Sequence, residues 1–228
     1  MKSYGIMFKA EMIRAYLAGV KTQTRRTRGL DKLNLHPDAW RLSGLLESGA
    51  LFTNIQDERR HFSPKYPYGK AGDELWFKET WAIICKVALP NCECETEDEI
   101  KENHYVEYRA DTDNPYPGDW PEDEAKGNDI APKWKSSMYM DRKYSRISVP
   151  VLNVRVERLW DITKADAFAE GVRTTYLNQP PDWMDIESYH TLWDKINGKG
   201  NMPWSLNPWV WVYEFPKYEN PIIGSGER

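Results

Sequence analysis

The chain has 228 residues, 40% hydrophobic and 13% aromatic, enough to pack a core in one elaborated domain or two small ones. A mean hydropathy of −0.74, with no run near the roughly 20 apolar residues of a spanning helix, argues against a membrane protein. The formal charge of −4 conceals an asymmetry: 14 Asp and Glu face three cations between Glu93 and Asp129, a net of −11 that leaves +7 on the remainder.

Residues Tyr4 to Phe8 read as a short strand and Ala10 to Ala18 as a helix, with Met12, Ile13, Tyr16 and Leu17 on one face at helical spacing. Gly19 serves as its C-cap. Residues 29 to 64 are weakly patterned, with a short helix expected around Asp38 to Leu46. The turn Pro67 to Gly72 leads into a strand from Glu74 to Trp81. Residues 84 to 135 carry the acidic excess and read as a loop-rich insertion holding one strand, Tyr105 to Ala110. Ser145 to Trp160 alternates as β-structure, with Pro150 at a bend or an edge. Thr163, with Asp166 three residues on, opens a helix that ends at Gly171. A second helix covers Asp185 to Ile196, and Asn207 to Phe215 is the final strand, followed by a frayed tail over residues 217–228.

The segment Lys21 to Arg28, directly after the first helix, gathers four cations, three hydroxyls and no acid. Such a cluster suits an anionic or polar ligand such as a phosphate or a nucleobase, and equally an exposed basic loop. Local charge steers a polyanion more than total charge does, because exposed charges are screened beyond roughly 8–10 Å, so an acidic total does not exclude nucleic acid. Lys21 beside Arg25 and Arg26 is a candidate for a lowered pKa, since like charges disfavour its protonated form.

Four blocks in order resemble the ASCH domain family of the PUA-like superfamily, in its phage and prophage branch. They are Leu17 to Arg26 (LAGVKTQTRR), Gly72 to Trp81 (GDELWFKETW), Ser145-Arg-Ile through Arg158 to Gly171 (RLWDITKADAFAEG), and Asn207 to Phe215 (NPWVWVYEF). That branch often has Met-Pro-Arg where this chain has Met140-Asp-Arg142. The resemblance implies an α+β fold, a PUA-like mixed β-barrel with peripheral helices, here as a single domain over 1–216 with the acidic insertion at 84–135. It implies a ligand drawn from nucleobases, modified nucleosides or RNA, held in a cleft on the barrel.

A small bacterial enzyme of the family hydrolyses the acetamide of N4-acetylcytidine, and the match places its lysine on Lys21, its threonine on Thr24 and its glutamate on Glu170. In that scheme Lys21 acts as base, the acyl group passes to Thr24 or directly to water, and Glu170 protonates the leaving nitrogen or positions the water, help worth ~10²–10⁴-fold. Against this stand plainer roles: Thr24 as a loop hydroxyl bonding its own backbone, and Glu170 as a solvated residue before a helix cap. A non-catalytic RNA-binding module and a ribonuclease are the rival functions.

Arg25 and Arg26 are expected to hold the ligand or a carboxylate, and Arg142 and Arg146 to extend the same basic surface or to protect a strand edge. Glu79 shares a strand face with Phe77 and Trp81, where it reads a base edge or pairs with Arg25 or Arg26. Of eleven tryptophans, Trp209 and Trp211 read as core and Trp81 as a stacking platform for a base. Cys85, Cys92, Cys94 and His104 lack the paired spacing of structural zinc, so no metal and no cofactor is expected. Three cysteines and an N-terminus without a long apolar stretch point to a cytoplasmic protein with no membrane partner. The acidic insertion is a candidate lid over the basic cleft.

Overall fold

Apolar alternation and capped amphipathic stretches build a mixed α+β chain in which strands predominate. The computed structural model describes residues 1–85, 104–119, 133–172, 182–200 and 202–219. Among these, the strands are β1 (Ser3–Met7), β2 (Gln23–Arg26), β3 (Trp40–Leu46), β4 (Gly49–Asn54), β5 (His61–Phe62), β6 (Glu74–Lys78), β7 (Trp81–Cys85), β8 (His104–Tyr108), β9 (Ser148–Pro150), β10 (Asn153–Arg158) and β11 (Trp209–Glu214). The α-helices are α1 (Ala10–Leu17), α2 (Asp31–Asn34), α3 (Lys164–Ala169) and α4 (Asp182–Asn197). The strands form four sheets, ordered β1-β6-β9, β10-β11-β2, β3-β4-β5 and β7-β8, and none closes into a barrel among the described residues. No described helix is long and apolar enough to cross a membrane.

The chain divides into two compact units: Met1–Tyr4, Ala15–Leu75 and Val149–Arg228 in the first, Gly5–Arg14 and Trp76–Ser148 in the second. The core of the first unit lies under the β10-β11-β2 sheet. Val210 and Val212 of its central strand pack with Ala167 of α3 and with Tyr189 and Trp193 of α4. Each of the two valines, withdrawn from water, contributes about 1.5–3 kcal/mol. In the second unit Phe8 and Phe77 pack with ring centroids 4.5 Å apart, and Arg14 Nε donates to Ala110 O at 2.8 Å.

Local signals place most elements where the sequence expects them. Helix α1 ends in Gly19 at φ 68°, a left-handed conformation that favours glycine. Thr163 caps α3: its Oγ1 accepts from Asp166 N at 3.1 Å while Thr163 N donates to Asp166 Oδ2 at 3.0 Å. The strand through Pro150 is broken there into β9 and β10. The strand expected from Glu74 to Trp81 is likewise two strands, β6 and β7, parted at Glu79 and Thr80.

One expectation is overturned. Residues 40–46, expected within a short helix, are strand β3, paired antiparallel with β4 from Trp40↔Asn54 to Leu46↔Gly49 with an irregularity between Leu42 and Gly44. The mostly exposed β3 is held by its ladder to the buried β4, which carries Phe52 at 0% exposure. Gly49 is needed at that turn because a Cβ there would stand 2.0 Å from Pro64 O. The expectations on Cys92, Cys94, most of the insertion and the end of the tail lie outside the described residues.

Candidate functional site

Strand β2 sits at the edge of the β10-β11-β2 sheet with Gln23↔Glu214, Thr24↔Tyr213, Arg25↔Val212 and Arg26↔Trp211 in register. Side chains alternate across a strand, so Gln23 and Arg25 share the face that carries Val210 and Val212, while Thr24 and Arg26 take the other. The first face meets α3. Gln23 Nε2 donates to Asp166 O at 2.9 Å and to Asp166 Oδ1 at 3.0 Å.

Lys21, just ahead of β2, is 1% exposed. Its Nζ donates to Gln23 O at 2.7 Å, Glu170 O at 2.8 Å and Glu170 Oε2 at 3.0 Å. All three ammonium protons are therefore committed. Burial pushes the Lys21 pKa down, and the Glu170 carboxylate opposes it; Arg26 and Arg25 add smaller downward effects. The direction matches the expectation from the basic run, but desolvation is the largest cause. Glu170 closes α3 as its C-cap, and Gly171 follows at φ 88°.

Arg25, 2% exposed, gives Nη1 to Glu170 Oε1 at 3.1 Å and Nη2 to Glu157 Oε1 at 2.6 Å, with Asp166 Oδ2 at 3.5 Å. Its Nε is buried with no hydrogen-bond partner among the described residues. Arg155 continues the chain of charges, donating Nε to Glu157 Oε2 at 2.8 Å and Nη2 to Asp166 Oδ1 at 2.7 Å, with Glu214 bonded to Nη1. Burial raises the Asp166 pKa, but the Thr163 and Gln23 hydrogen bonds and the charge of Arg25 outweigh it and leave the carboxyl well below its ordinary range. Tyr189, 4% exposed, has its ring centroid 5.9 Å from the Arg25 guanidinium carbon, and its hydroxyl pKa is driven well above the usual value by burial.

The basic run is thus not a uniformly basic surface. Lys21, Arg25 and Arg155 interlock with Glu157, Asp166, Glu170 and Glu214, three cations against four carboxylates. Lys21 and Glu170 come together in this network. Thr24, 1% exposed, belongs by the strand's alternation to the opposite face, with Tyr213 beside it in register. Arg26 shares that opposite face and is half-buried; Arg28 lies over the Tyr68 ring at 5.6 Å.

The remaining expected ligand residues belong to the second unit. Glu79, 1% exposed, pairs with neither Arg25 nor Arg26: Arg146 holds it with two parallel bonds, Nε to Oε1 at 3.0 Å and Nη2 to Oε2 at 2.9 Å. Arg146 also grips Asp111 twice, Nη1 to Oδ2 at 2.6 Å and Nη2 to Oδ1 at 2.9 Å, with its guanidinium carbon 4.0 Å from the Tyr108 centroid. Burial raises the Glu79 pKa and Arg146 opposes it. Trp81 is 3% exposed and already stacked on Tyr144 at 4.5 Å and 26°, so its ring is a core contact rather than an open platform. Arg142 Nη2 donates to Ser148 Oγ at 2.6 Å. Cys85 is a free thiol opposite His104 in the β7-β8 register. Among the described residues no group of three or more His, Cys, Asp or Glu is arranged to hold a metal ion.

Sequence reasoning missed Arg155, Glu157, Glu214 and Tyr189 as members of the network. The i, i+2 spacing of Arg155 and Glu157 on a strand was the one signal available, since it puts opposite charges on one face. Comparison with protein-family models, with curated proteins and with solved structures found no match.

Proposed function

We propose that this chain is an ASCH protein of PUA-like architecture that binds a nucleobase, modified nucleoside or RNA at the Lys21–Arg25–Glu170 cluster. The observation that carries this reading is the buried ionic network with one donor, Arg25 Nε, that has no partner among the described residues. Buried ion pairs are poor stabilisers, and replacement by apolar side chains is often neutral or favourable. Strongly perturbed, buried titratable groups concentrate at functional sites. A buried guanidinium N–H with no acceptor among the described residues is open to an oxygen or nitrogen from a bound ligand or an ordered water, as a base edge supplies. Two further features support the family reading. The blocks around β2, β10, α3 and β11 form one sheet and its covering helix, and Asp141 has φ −78°, which the proline of the Met-Pro-Arg pattern also adopts.

A second reading, hydrolysis of N4-acetylcytidine, draws on the 3.0 Å contact of Lys21 Nζ with Glu170 Oε2. In it, water adds to the acetyl carbon, Glu170 takes the water's proton and passes it to the cytidine N4, and acetate and cytidine leave. Thr24, on the other face of β2, has no part in that route. The test is equilibrium dialysis with cytidine and N4-acetylcytidine, together with assay of cytidine release, for wild type, Lys21→Ala and Glu170→Ala. Binding lost in both variants supports the site; release lost with it supports hydrolysis. If wild type binds neither nucleoside nor RNA, the reading fails. A steep fall of RNA affinity with salt marks the non-catalytic RNA-binding form.

A further inference from the structure

A cavity of about 440 Å³ opens between the α2–β3 connection and the end of β4, lined by Lys32, His36, Trp40, Asn54, Gln56 and Arg60 among others. None of its lining residues belongs to the Lys21–Glu170 network, and none is acidic. The backbone around it is tied down. Ile55 N donates to Ala39 O at 2.9 Å, Asn54 N to Arg60 O at 2.9 Å, and Ala39 N to His36 O at 3.0 Å.

Three kinds of group converge here. Lys32, His36 and Arg60 are exposed nitrogen groups, and no ion pair holds them among the described residues. Three carboxylates close in sequence are engaged elsewhere, Asp38 with Arg158 at 2.8 Å, Glu58 with Arg41 at 2.7 Å and Asp57 with Arg59 at 4.0 Å, while the exposed Asp31 precedes Lys32 in α2 and does not line the cavity. Trp40 supplies a half-buried aromatic wall braced by Phe62, with centroids 6.4 Å apart, and Lys32 Nζ lies 5.9 Å from the Phe62 centroid. Asn54 is 7% exposed; its Oδ1 accepts from Gln56 N and Asp57 N, both at 3.0 Å, and no described residue accepts from its Nδ2. Cations that no ion pair holds among the described residues, a flat apolar face and an amide edge in one concavity match the three parts of a nucleotide: phosphate, base plane and base edge.

We propose that this cavity binds a nucleotide, with its phosphate on Lys32 and Arg60, its base against Trp40 and the base edge on Asn54 and Gln56. The nucleotide is either free or one unit of an RNA strand. This site stands independently of the Lys21–Glu170 reading.

The test measures affinity of the full chain for the four 5′-mononucleotides, the matching nucleosides, inorganic phosphate and a mixed-sequence ribo-octamer. Variants are Lys32→Glu/Arg60→Glu, Trp40→Leu and Trp40→Phe, each checked for native circular dichroism. We expect nucleotides to bind at least tenfold tighter than nucleosides or phosphate, and the charge-reversed variant to lose at least tenfold. Trp40→Leu loses about 5- to 150-fold, the worth of one base stack, while Trp40→Phe stays near wild type. Variant-sensitive binding of the octamer alone assigns the site to a strand; sensitive binding of mononucleotides as well assigns it to a free ligand. No binding by wild type, equal binding by wild type and the charge-reversed variant, or phosphate binding as tight as nucleotide overturns the proposal.

Discussion

Lys21 Nζ and Glu170 Oε2 meet at 3.0 Å across 149 residues of sequence, with side chains 1% and 5% exposed. The pair joins the connection into β2 to the C-cap of α3, so it orients the sheet edge and the helix end at once. Neither charge has water to fall back on, and this governs what substitution does.

Removing one partner strands the other. Glu170→Ala is expected to cost about 3–5 kcal/mol, because Lys21 and Arg25 both lose a buried carboxylate. Glu170→Gln keeps an acceptor for Lys21 and costs less. Urea denaturation of the two variants against wild type measures the difference; equal stability of Glu170→Ala and wild type would contradict a buried pair.

Asp166 makes the first unit acid-sensitive. Its folded pKa lies below the ordinary carboxylate value near 4, so its stabilisation is present above that pH and is lost as pH falls through the folded value. Asp166→Asn is therefore expected to be less stable than wild type at pH 7, with the gap closing on acidification below pH 4. Thermal melts across pH 2–7 give the comparison.

Gly171 holds the end of α3 at φ 88°, and a Cβ there would stand 2.8 Å from the Ala15 Cβ and 3.1 Å from the Lys21 Cβ. Gly171→Ala is expected to destabilise by at least 1–2 kcal/mol from backbone strain alone. The crowding of Lys21 also predicts weakened binding of the proposed ligand at the Lys21–Glu170 cluster, read by dialysis of the folded fraction.

In the second unit, Arg146 serves two carboxylates unequally. Arg146→Ala leaves Glu79 buried and unpaired and is expected to cost about 3–5 kcal/mol, whereas Asp111→Ala removes a partner 47% exposed and costs less than about 1 kcal/mol. Arg146→Lys falls between, since an ammonium cannot reproduce two parallel bonds. Denaturation midpoints of the three variants rank them.

Thr24 supplies a discriminating substitution. Thr24→Val preserves shape and strand propensity on the face away from Glu170, so the proposed binding of N4-acetylcytidine is expected within threefold of wild type. A large loss would return Thr24 to the site.

Local chemistry made much of the fold legible. Four apolar residues at helical spacing and a glycine mark α1; Thr163 and Asp166 mark the start of α3 and Gly171 its end; alternation marks β10 and β11. These signals act over a few residues, through one turn of helix or one pleat of strand, so a single sequence carries them. The β3-β4-β5 sheet escaped because its first strand is largely exposed and owes its conformation to a partner.

The candidate site divides the same way. The sequence alone set out Lys21, Arg25 and Arg26 as a cation-rich segment, and the resemblance implies that Lys21 and Glu170 share a site. Only the tertiary structure decided that Arg25 takes Glu157, Asp166 and Glu170 while Glu79 goes to Arg146, and that Thr24 faces away from Lys21's partner. Which carboxylate neutralises which buried cation depends on sheet register and helix packing across more than a hundred residues. No local periodicity encodes that choice; desolvation enforces it, because a buried charge must take whichever counter-charge the fold delivers.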